Sequence, residues 1–531
     1  MIVTDDAHLR HHPRRESGHE WRWPLGGPAV WLVATLTAAI LAASCVGRGS
    51  DVDTVVIGTP YELRTLDPHV DDTLSAYAAL GSLYEPLVTT DADLRNRPCL
   101  AESWANPDAL TWVLRLRPGV RFHSGRPLRA RDVVYSIERP LGGRDTGVRR
   151  HLAEVASVLE RGPLAVEIRT RVPDPVFLNR LRFLYVVPEG AGEDWLSRNA
   201  DGTGPFALDR WTPTSSLSLV RHERYWGARA ALRRVEYRLG LNPEDALRGL
   251  LEGRYLLVQA SPPSLAAAVG RFAVRRRDSL YLKFLAFDIS RDVTPYVSLR
   301  PNPFKDLRVR RAIHLAIDRR ELAASLRGDA VPASQVVPSL VFGFNPRIPE
   351  PRPDLHRARD LMREAGIASG FSTVLLTRRI LAEPGGLLKT FLARIGISVE
   401  LEVVSDAEFY EALNRRDASL WLERYGCGTA DAGEALGNLL HSKDEPRHLG
   451  IDNDTGLALP DLDRAIEEST AIEDVGERQA ALQSILKRAA DDLLLIPLFS
   501  DSDTYLMDPS LSWAPRADSY IRAQDIGRDV P

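Results

Sequence analysis

Leu387-Leu388-Lys389-Thr390-Phe391-Leu392-Ala393-Arg394-Ile395-Gly396-Ile397-Ser398-Val399-Glu400-Leu401-Glu402-Val403 changes its hydrophobic period halfway along. Leu387, Leu388, Phe391, Leu392 and Ile395 recur three and four apart, which places them on one stripe of a helix. Gly396 ends the stripe. Ile397, Val399, Leu401 and Val403 then alternate with Ser398, Glu400 and Glu402, as the two faces of a half-buried strand do. A helix that passes into a strand across one glycine is a building block of α/β layers, in which helices cover sheets.

The same grammar extends in both directions. Ser405 and Glu408 have capping-box spacing for a following helix. Leu420-Trp421-Leu422 starts a strand that runs into a loop punctuated by Gly426-Cys427-Gly428. Pro460 to Leu494 holds two polar, amphipathic helices before the apolar run Leu493 to Phe499. Upstream, Asp306 to Leu326 predicts one helix, with Val309, Ile313, Ala316 and Ile317 on a stripe and Gly328 as its stop. Leu280 to Phe287 is a strongly apolar strand. In the first half, Val52 to Gly58, Trp112 to Arg117 and Leu217 to Arg221 predict strands, and Pro127 to Arg139 predicts a turn followed by a helix. The Pro-rich run Pro346 to Pro353 predicts an extended surface segment.

The chain has 531 residues, too many for one ordinary core, so two or three folded units are expected. Its net charge of −4 argues against nucleic acid, which calls for a concentrated basic face. Three cysteines, Cys45, Cys99 and Cys427, lack the close spacing of a metal or redox site, and Cys99 and Cys427 are expected as unpaired thiols. No charged residue interrupts Trp23 to Gly47, a run long enough to span a bilayer, and Arg10, Arg14, Arg15 and Arg22 precede it. This is the pattern of an export signal. Leu41-Ala42-Ala43-Ser44-Cys45 is similar to a bacterial lipobox, with Ala42 where that motif carries Leu. Cys45 is therefore a candidate lipid-attachment residue, an uncleaved signal anchor is the alternative, and residues 48–51 form a tether. On either alternative the bulk of the chain lies outside the cytoplasmic membrane, periplasmic or at the cell surface.

Enzyme signatures are missing from the sequence. It has no Walker-type loop, zinc-protease His pair or nucleophile elbow. Ser484-Ile485-Leu486-Lys487 has Ser-x-x-Lys spacing but lies within an amphipathic helix and lacks a companion Lys-Thr-Gly. His441 and His448 are too loosely spaced for a metal pair, so neither metal nor cofactor is expected.

An ordered set of segments narrows the reading. Thr65-Leu66-Asp67-Pro68-His69, Tyr84-Glu85-Pro86-Leu87-Val88 and Leu100-Ala101-Glu102-Ser103-Trp104 come first, then Thr111 to Gly125 and Asp132-Val133-Val134-Tyr135-Ser136. Gly202-Thr203-Gly204-Pro205-Phe206, Arg224-Tyr225-Trp226-Gly227 and Val309-Arg310-Arg311-Ala312-Ile313 with Ala316-Ile317-Asp318-Arg319 follow. In this order the chain resembles solute-binding protein family 5 of ABC importers, the dipeptide-, oligopeptide- and nickel-binding proteins. The resemblance implies a bilobal periplasmic-binding-protein-like α/β fold (type II, cluster C) with an extra inserted subdomain. Residues 1–50 would be the signal and tether, and 51–93 with 201–279 and 496–531 a discontinuous lobe I. Residues 94–200 would be the inserted subdomain and 280–495 lobe II. The chain would be a monomer that captures a solute, an oligopeptide or dipeptide first, by hinge closure and delivers it to an ABC permease and its ATPase. The alternatives are a non-peptide solute such as an oligosaccharide, or an exported sensor that docks to a receptor.

The resemblance also implies where the solute sits. In peptide binders of the family a Trp-x-x-Asp-Tyr-like loop anchors the ligand amine. Here Tyr425 falls at the aromatic, Gly426 and Cys427 follow, and Gly428 or Thr429 stands at the Asp, leaving Asp431 as the nearest carboxylate. Glu62, Arg64 and Leu66 would form the opposing wall, where backbone groups pair with an extended ligand. Trp104, Trp112 and Trp226 read as core anchors, His123 as hydrogen-bonded structure, and Asp67 as the cap of a turn at Pro68.

Overall fold

The computed structural model describes residues 54–70, 74–144, 146–260, 270–326 and 330–528. The apolar N-terminal run, Cys45, the tether and Gly328 lie outside them. Among the described residues no helix is long and apolar enough to cross a membrane.

Eleven strands make one large sheet: β1 Thr54–Gly58, β2 Phe206–Thr212, β3 Ser216–Arg221, β4 Arg234–Arg238, β5 Leu257–Ala260, β6 Ala273–Phe287, β7 Ala330–Pro332, β8 Phe371–Arg378, β9 Ile397–Val404, β10 Leu420–Gly426 and β11 Ile496–Met507. Their order is β9-β8-β10-β6-β11-β5-β1-β4-β3-β2, with β7 paired to β11 off this path. β1 runs parallel to β4 and β5, and β8 parallel to β9 and β10. β6 and β11 form the long antiparallel pair in the middle, and their register shifts between Asp278 and Leu282 and again between Lys283 and Phe284.

Burial divides the apolar side chains on either side of that pair. One core draws on Val55 to Leu257 and Tyr505 to Ile526. Two others draw on Leu280 to Phe499, with Leu94 and Ala517 joining one of them. Strand alternation explains why there are two: Leu282, Phe284, Ala286 and Trp421 enter one, while Leu285, Phe287, Leu420 and Leu422 enter the other. That half of the sheet is therefore covered on both faces.

A separate four-stranded antiparallel sheet, in the order Ala101–Asp108, Thr111–Leu116, Ala165–Thr170, Val155–Glu160, lies within the stretch 94–200. Its Leu114, Leu116, Val166 and Ile168 join the first core. Gly202 is required where that region returns to the large sheet, because a Cβ there would lie 2.0 Å from the Leu83 carbonyl oxygen.

The helix–glycine–strand reading of residues 387–403 holds, as helix Ala382–Ala393 and then β9. Ser405 and Glu408 form a reciprocal capping box on helix Asp406–Asn414. The single helix expected over Asp306 to Leu326 is instead two, Leu307–Ala316 and Arg319–Ser325. Asp318 leaves helical geometry there, and its carboxylate accepts from the amides of Arg320 and Glu321, starting a new helix. β6 begins seven residues before Leu280, because Ala273 to Asp278 continue the ladder with β11 although they are mostly charged and none is buried. Trp112 is buried, Trp104 and Trp226 pack against the first core, and His123 Nε2 pairs with the Gly204 carbonyl at 3.1 Å. Asp67 accepts from the His69 amide at 3.0 Å and also pairs with Arg139. Cys99 and Cys427 are free and buried.

Candidate functional site

β10 ends where several polar side chains meet. Opposite it, β6 sets Lys283 against Arg424 and Tyr281 against Gly426. The Arg424 guanidinium lies 3.5 Å from the centre of the Tyr281 ring. Gly426 is needed under that ring, since a Cβ would come 2.5 Å from Tyr281 Cε1. Lys283 pairs with Asp501 of β11, and burial pulls its pKa down to about 8. Asp503, two residues on, accepts from the Ser519 hydroxyl and is pushed up by burial. Tyr61, which follows β1, is half-buried and within electrostatic reach of Asp503, Tyr281 and Arg424. Residues on both sides of the β6–β11 pair thus converge on one polar cluster.

On the other face of β10 lies a cavity of about 410 Å³, with Tyr410, Trp421, Glu423, Tyr425, Asp452 and Asp454 in its wall. The Tyr425 hydroxyl accepts from Asn438 Nδ2 at 3.0 Å. Glu423 is ion-paired with Arg378 of β8, yet burial raises its pKa to about 7. Asp454 holds Lys443 at 2.9 Å. Burial first, and then the charges of Asp454 and Glu434, raise Asp452 to about 6, while Lys443 and Arg150 oppose the shift.

The loop after β10 is bonded to itself. Cys427 Sγ donates to the Asp431 carbonyl at 3.2 Å. The Thr429 amide and hydroxyl both donate to Glu434 Oε2 at 2.7 Å. Asp431 caps helix Ala432–Leu439 through the Gly433 amide, 2.9 Å, and takes both arms of Arg478 at 2.6 and 2.8 Å, in a pair buried on both sides. The carbonyls of Gly428 and Thr429 face the other way and accept from the side chains of Arg182 and Asn179.

The structure therefore gathers Tyr425, Gly426, Cys427, Thr429 and Asp431 into one loop. Glu62 and Arg64 instead pair with each other, exposed, at 2.9 Å, and Leu66 is fully buried in the first core. No hydrogen bond or ion pair among the described residues joins Glu62 or Arg64 to the 425–431 loop. Sequence reasoning missed Tyr281, Lys283, Arg424, Asp501, Asp503, Asn179 and Arg182. The alternating Ser500-Asp501-Ser502-Asp503-Thr504 carried a signal for two of them, a polar face on a strand that outlasts its apolar start. Among the described residues no group of three or more His, Cys, Asp or Glu is placed to hold a metal ion.

Comparison with known proteins adds to this geometry. The sequence profile of bacterial extracellular solute-binding proteins, family 5 Middle, matches residues 96–446. The glutathione-binding protein GsiB of Escherichia coli O157:H7 is 26% identical over 439 residues, covering 79% of this chain and 83% of its own. Among solved structures, the periplasmic binding protein DppA of Helicobacter pylori, in complex with the peptide STSA, superposes with a TM-score of 0.75 at 21% identity, covering 90% of this chain and 98% of its own. HbpA2 of Haemophilus parasuis gives 0.79 at 18% identity, with 90% and 100% covered. At these identities the structural likenesses establish the fold.

Proposed function

We propose, from the premise that the chain belongs to the bacterial extracellular solute-binding proteins of family 5, that it captures a small peptide between two lobes and delivers it to an ABC permease. The observation that carries this reading is the division of apolar cores about the β6–β11 pair, with polar side chains from both sides gathered beside it. Lobe I would take residues 51–93, 201–279 and 496–531, and lobe II 280–495. Residues 94–200 are the inserted subdomain, which shares the core of lobe I. A solute that touches both lobes binds the closed arrangement better than the open one, and only that difference drives closure.

The peptide class is favoured by the relatives, one named for binding glutathione and one solved with a tetrapeptide. In this chain Asp431 is already engaged by Arg478 and a helix cap. Recognition of the solute then falls to Tyr281, Arg424 and the wall formed by Tyr425 and Gly426. The protein would act as a monomer outside the cytoplasmic membrane, held to it through the N-terminal segment, with Cys45 as the lipid-bearing residue.

Calorimetry and thermal melts with glutathione, STSA and di- to pentapeptides test the reading. At a hundredfold excess over Kd a ligand adds about 2.7 kcal/mol of stability, which raises Tm by a few degrees in a chain of this size. If an oligosaccharide shifts the melt and no peptide does, the peptide assignment falls.

A further inference from the structure

A second cavity, of about 530 Å³, is built from residues 81–99, Arg182 and Tyr185, Tyr225 and Trp226, and the stretch 514–525. It shares no lining residue with the cluster around Tyr281 and Arg424. Three arginines line it, and each keeps a guanidinium nitrogen that makes no hydrogen bond among the described residues. Arg182 donates through Nη2 to the Gly428 carbonyl, lies 4.7 Å from the centre of the Phe183 ring and forms no ion pair, while its Nη1 is buried and unmet. Arg522 reaches Thr89 Oγ1 from Nη1 at 3.3 Å and Asp518 from Nη2 at 3.7 Å, while its Nε is buried and unmet. Arg516, its side chain 6% exposed, spends Nε and Nη2 on Asp518, Thr90 and Asp91. Its Nη1 lies 3.9 Å from an Asp525 carboxylate oxygen, too far for a hydrogen bond.

The carboxylates nearby leave these groups unanswered. Among the described residues only Asp518 is hydrogen-bonded to any of the three arginines. Burial by itself raises the Asp518 pKa, yet Arg516, Arg522 and Arg182 together hold it below the usual carboxylate range, so three cations bear on one acid. Asp91 is committed to Arg97 at 2.8 Å. Glu85 accepts from Tyr225, Thr203 and Trp226, and burial raises its pKa to about 7, which leaves it part of a charge at neutral pH. Asp525 is exposed. Beside the wall, Arg117 lies 4.7 Å from the Trp226 ring centre and adds a further cation.

We propose that this cavity is an oxyanion site, for a phosphate or carboxylate group, with Arg182 and Arg522 as its two principal arms and Arg516 as a third contact. The site is independent of the peptide reading, and either can fail alone. A water molecule would satisfy the stranded N–H groups but not the charge they carry. An oxyanion does both. Planar guanidinium forks match the paired oxygens of a carboxylate or phosphate, and hydrogen bonds between ionised groups are roughly twice as strong as neutral ones. A cationic ligand gains nothing from these nitrogens, because all of them are donors. The volume falls within the range of small-molecule sites, so the anionic group can be a free ion or part of a larger molecule.

Titration calorimetry on the full chain in low-salt buffer is the test. Inorganic phosphate and malonate serve as free oxyanions, and Ala-Ala-Ala is compared with its carboxyl amide as the solute-borne source. Phosphate or malonate should bind and raise Tm, where potassium chloride at equal ionic strength does not. Arg522→Gln should weaken that binding at least tenfold, and Arg522→Lys less, since it keeps the charge without the fork. Arg182→Gln should also weaken it at least tenfold, so the result can be read if one variant fails to fold. Arg161→Gln, in a pair with Glu167 away from the cavity, should leave affinity within twofold. If Ala-Ala-Ala displaces phosphate and its amide does not, the oxyanion is the solute's own; if peptide and phosphate bind together, it is a free ion. If chloride matches phosphate and malonate, or if no oxyanion binding depends on Arg182 or Arg522, the site is overturned and the peptide reading is untouched. Failure of every peptide to bind removes the peptide reading and leaves phosphate and malonate to decide the site.

Discussion

The side-chain amide of Asn179 donates to the backbone carbonyl of Thr429 at 2.8 Å, joining positions 250 residues apart. Arg182 does the same for the carbonyl of Gly428. In the proposed clamshell these two bonds tie the inserted subdomain to the solute-facing loop. They favour the closed form without touching the solute. Asn179→Ala with Arg182→Ala should therefore weaken peptide binding by three- to thirtyfold by lowering the closed population. X-ray scattering of the unliganded double variant should show a larger radius of gyration than the parent, and an unchanged radius would remove the tie from the account.

Asp431 and Arg478 form a buried two-armed ion pair. Removing one partner strands the other charge, at a cost of about 3–5 kcal/mol. Asp431→Ala should lower the denaturant midpoint accordingly, and calorimetry should find solute affinity within about twofold of the parent once folding is restored by lower temperature. A large loss of affinity in the folded variant would return Asp431 to the binding surface.

Glu85 accepts from the Tyr225 hydroxyl at 2.6 Å and from Thr203 and the Trp226 indole, both at 2.8 Å. Burial still raises its pKa to about 7. The folded chain therefore keeps a proton that the unfolded chain loses near pH 4.5. Stability from this group is fully present below the unfolded pKa and declines as pH rises toward 7, by roughly 3 kcal/mol in all. Melts from pH 5 to pH 8 should fall in Tm, and Glu85→Gln should flatten that slope.

Gly426→Ala forces a Cβ into the Tyr281 ring, which the Arg424 guanidinium also meets. Overpacking of this kind costs about 1–3 kcal/mol. Adding Tyr281→Ala should relieve the clash, so the double variant should lose less than the two single losses combined. Strict additivity in urea melts would show that the ring and the glycine do not meet in solution.

Elements whose signals are local were legible in the sequence. The period change at Gly396, the capping box of Ser405 and Glu408, and the alternation of β9 each depend on residues a few positions apart. The break at Asp318 was hidden because its neighbours keep a helical stripe, while the capping by its carboxylate is a property of one rotamer. The 425–431 loop could be placed by resemblance, but its internal bonding could not. The Asp431–Arg478 pair depends on a helix 47 residues downstream. Tyr281, Lys283 and Asp501 come together only because β6 and β11 pair in one register, and that register follows from the whole sheet.

The shifted stretch between Asp278 and Leu282 has a mechanical consequence. A long two-stranded ribbon with unbroken pairing resists folding across its width like a plank, whereas missing rungs give it a crease. Motion of one half against the other in the proposed clamshell would concentrate at Ser279, Leu280 and Tyr281, and the flanking rungs would travel as stiff panels. Tyr281, which holds Arg424, sits on that crease, so folding the ribbon would also re-aim the cation that meets the cargo.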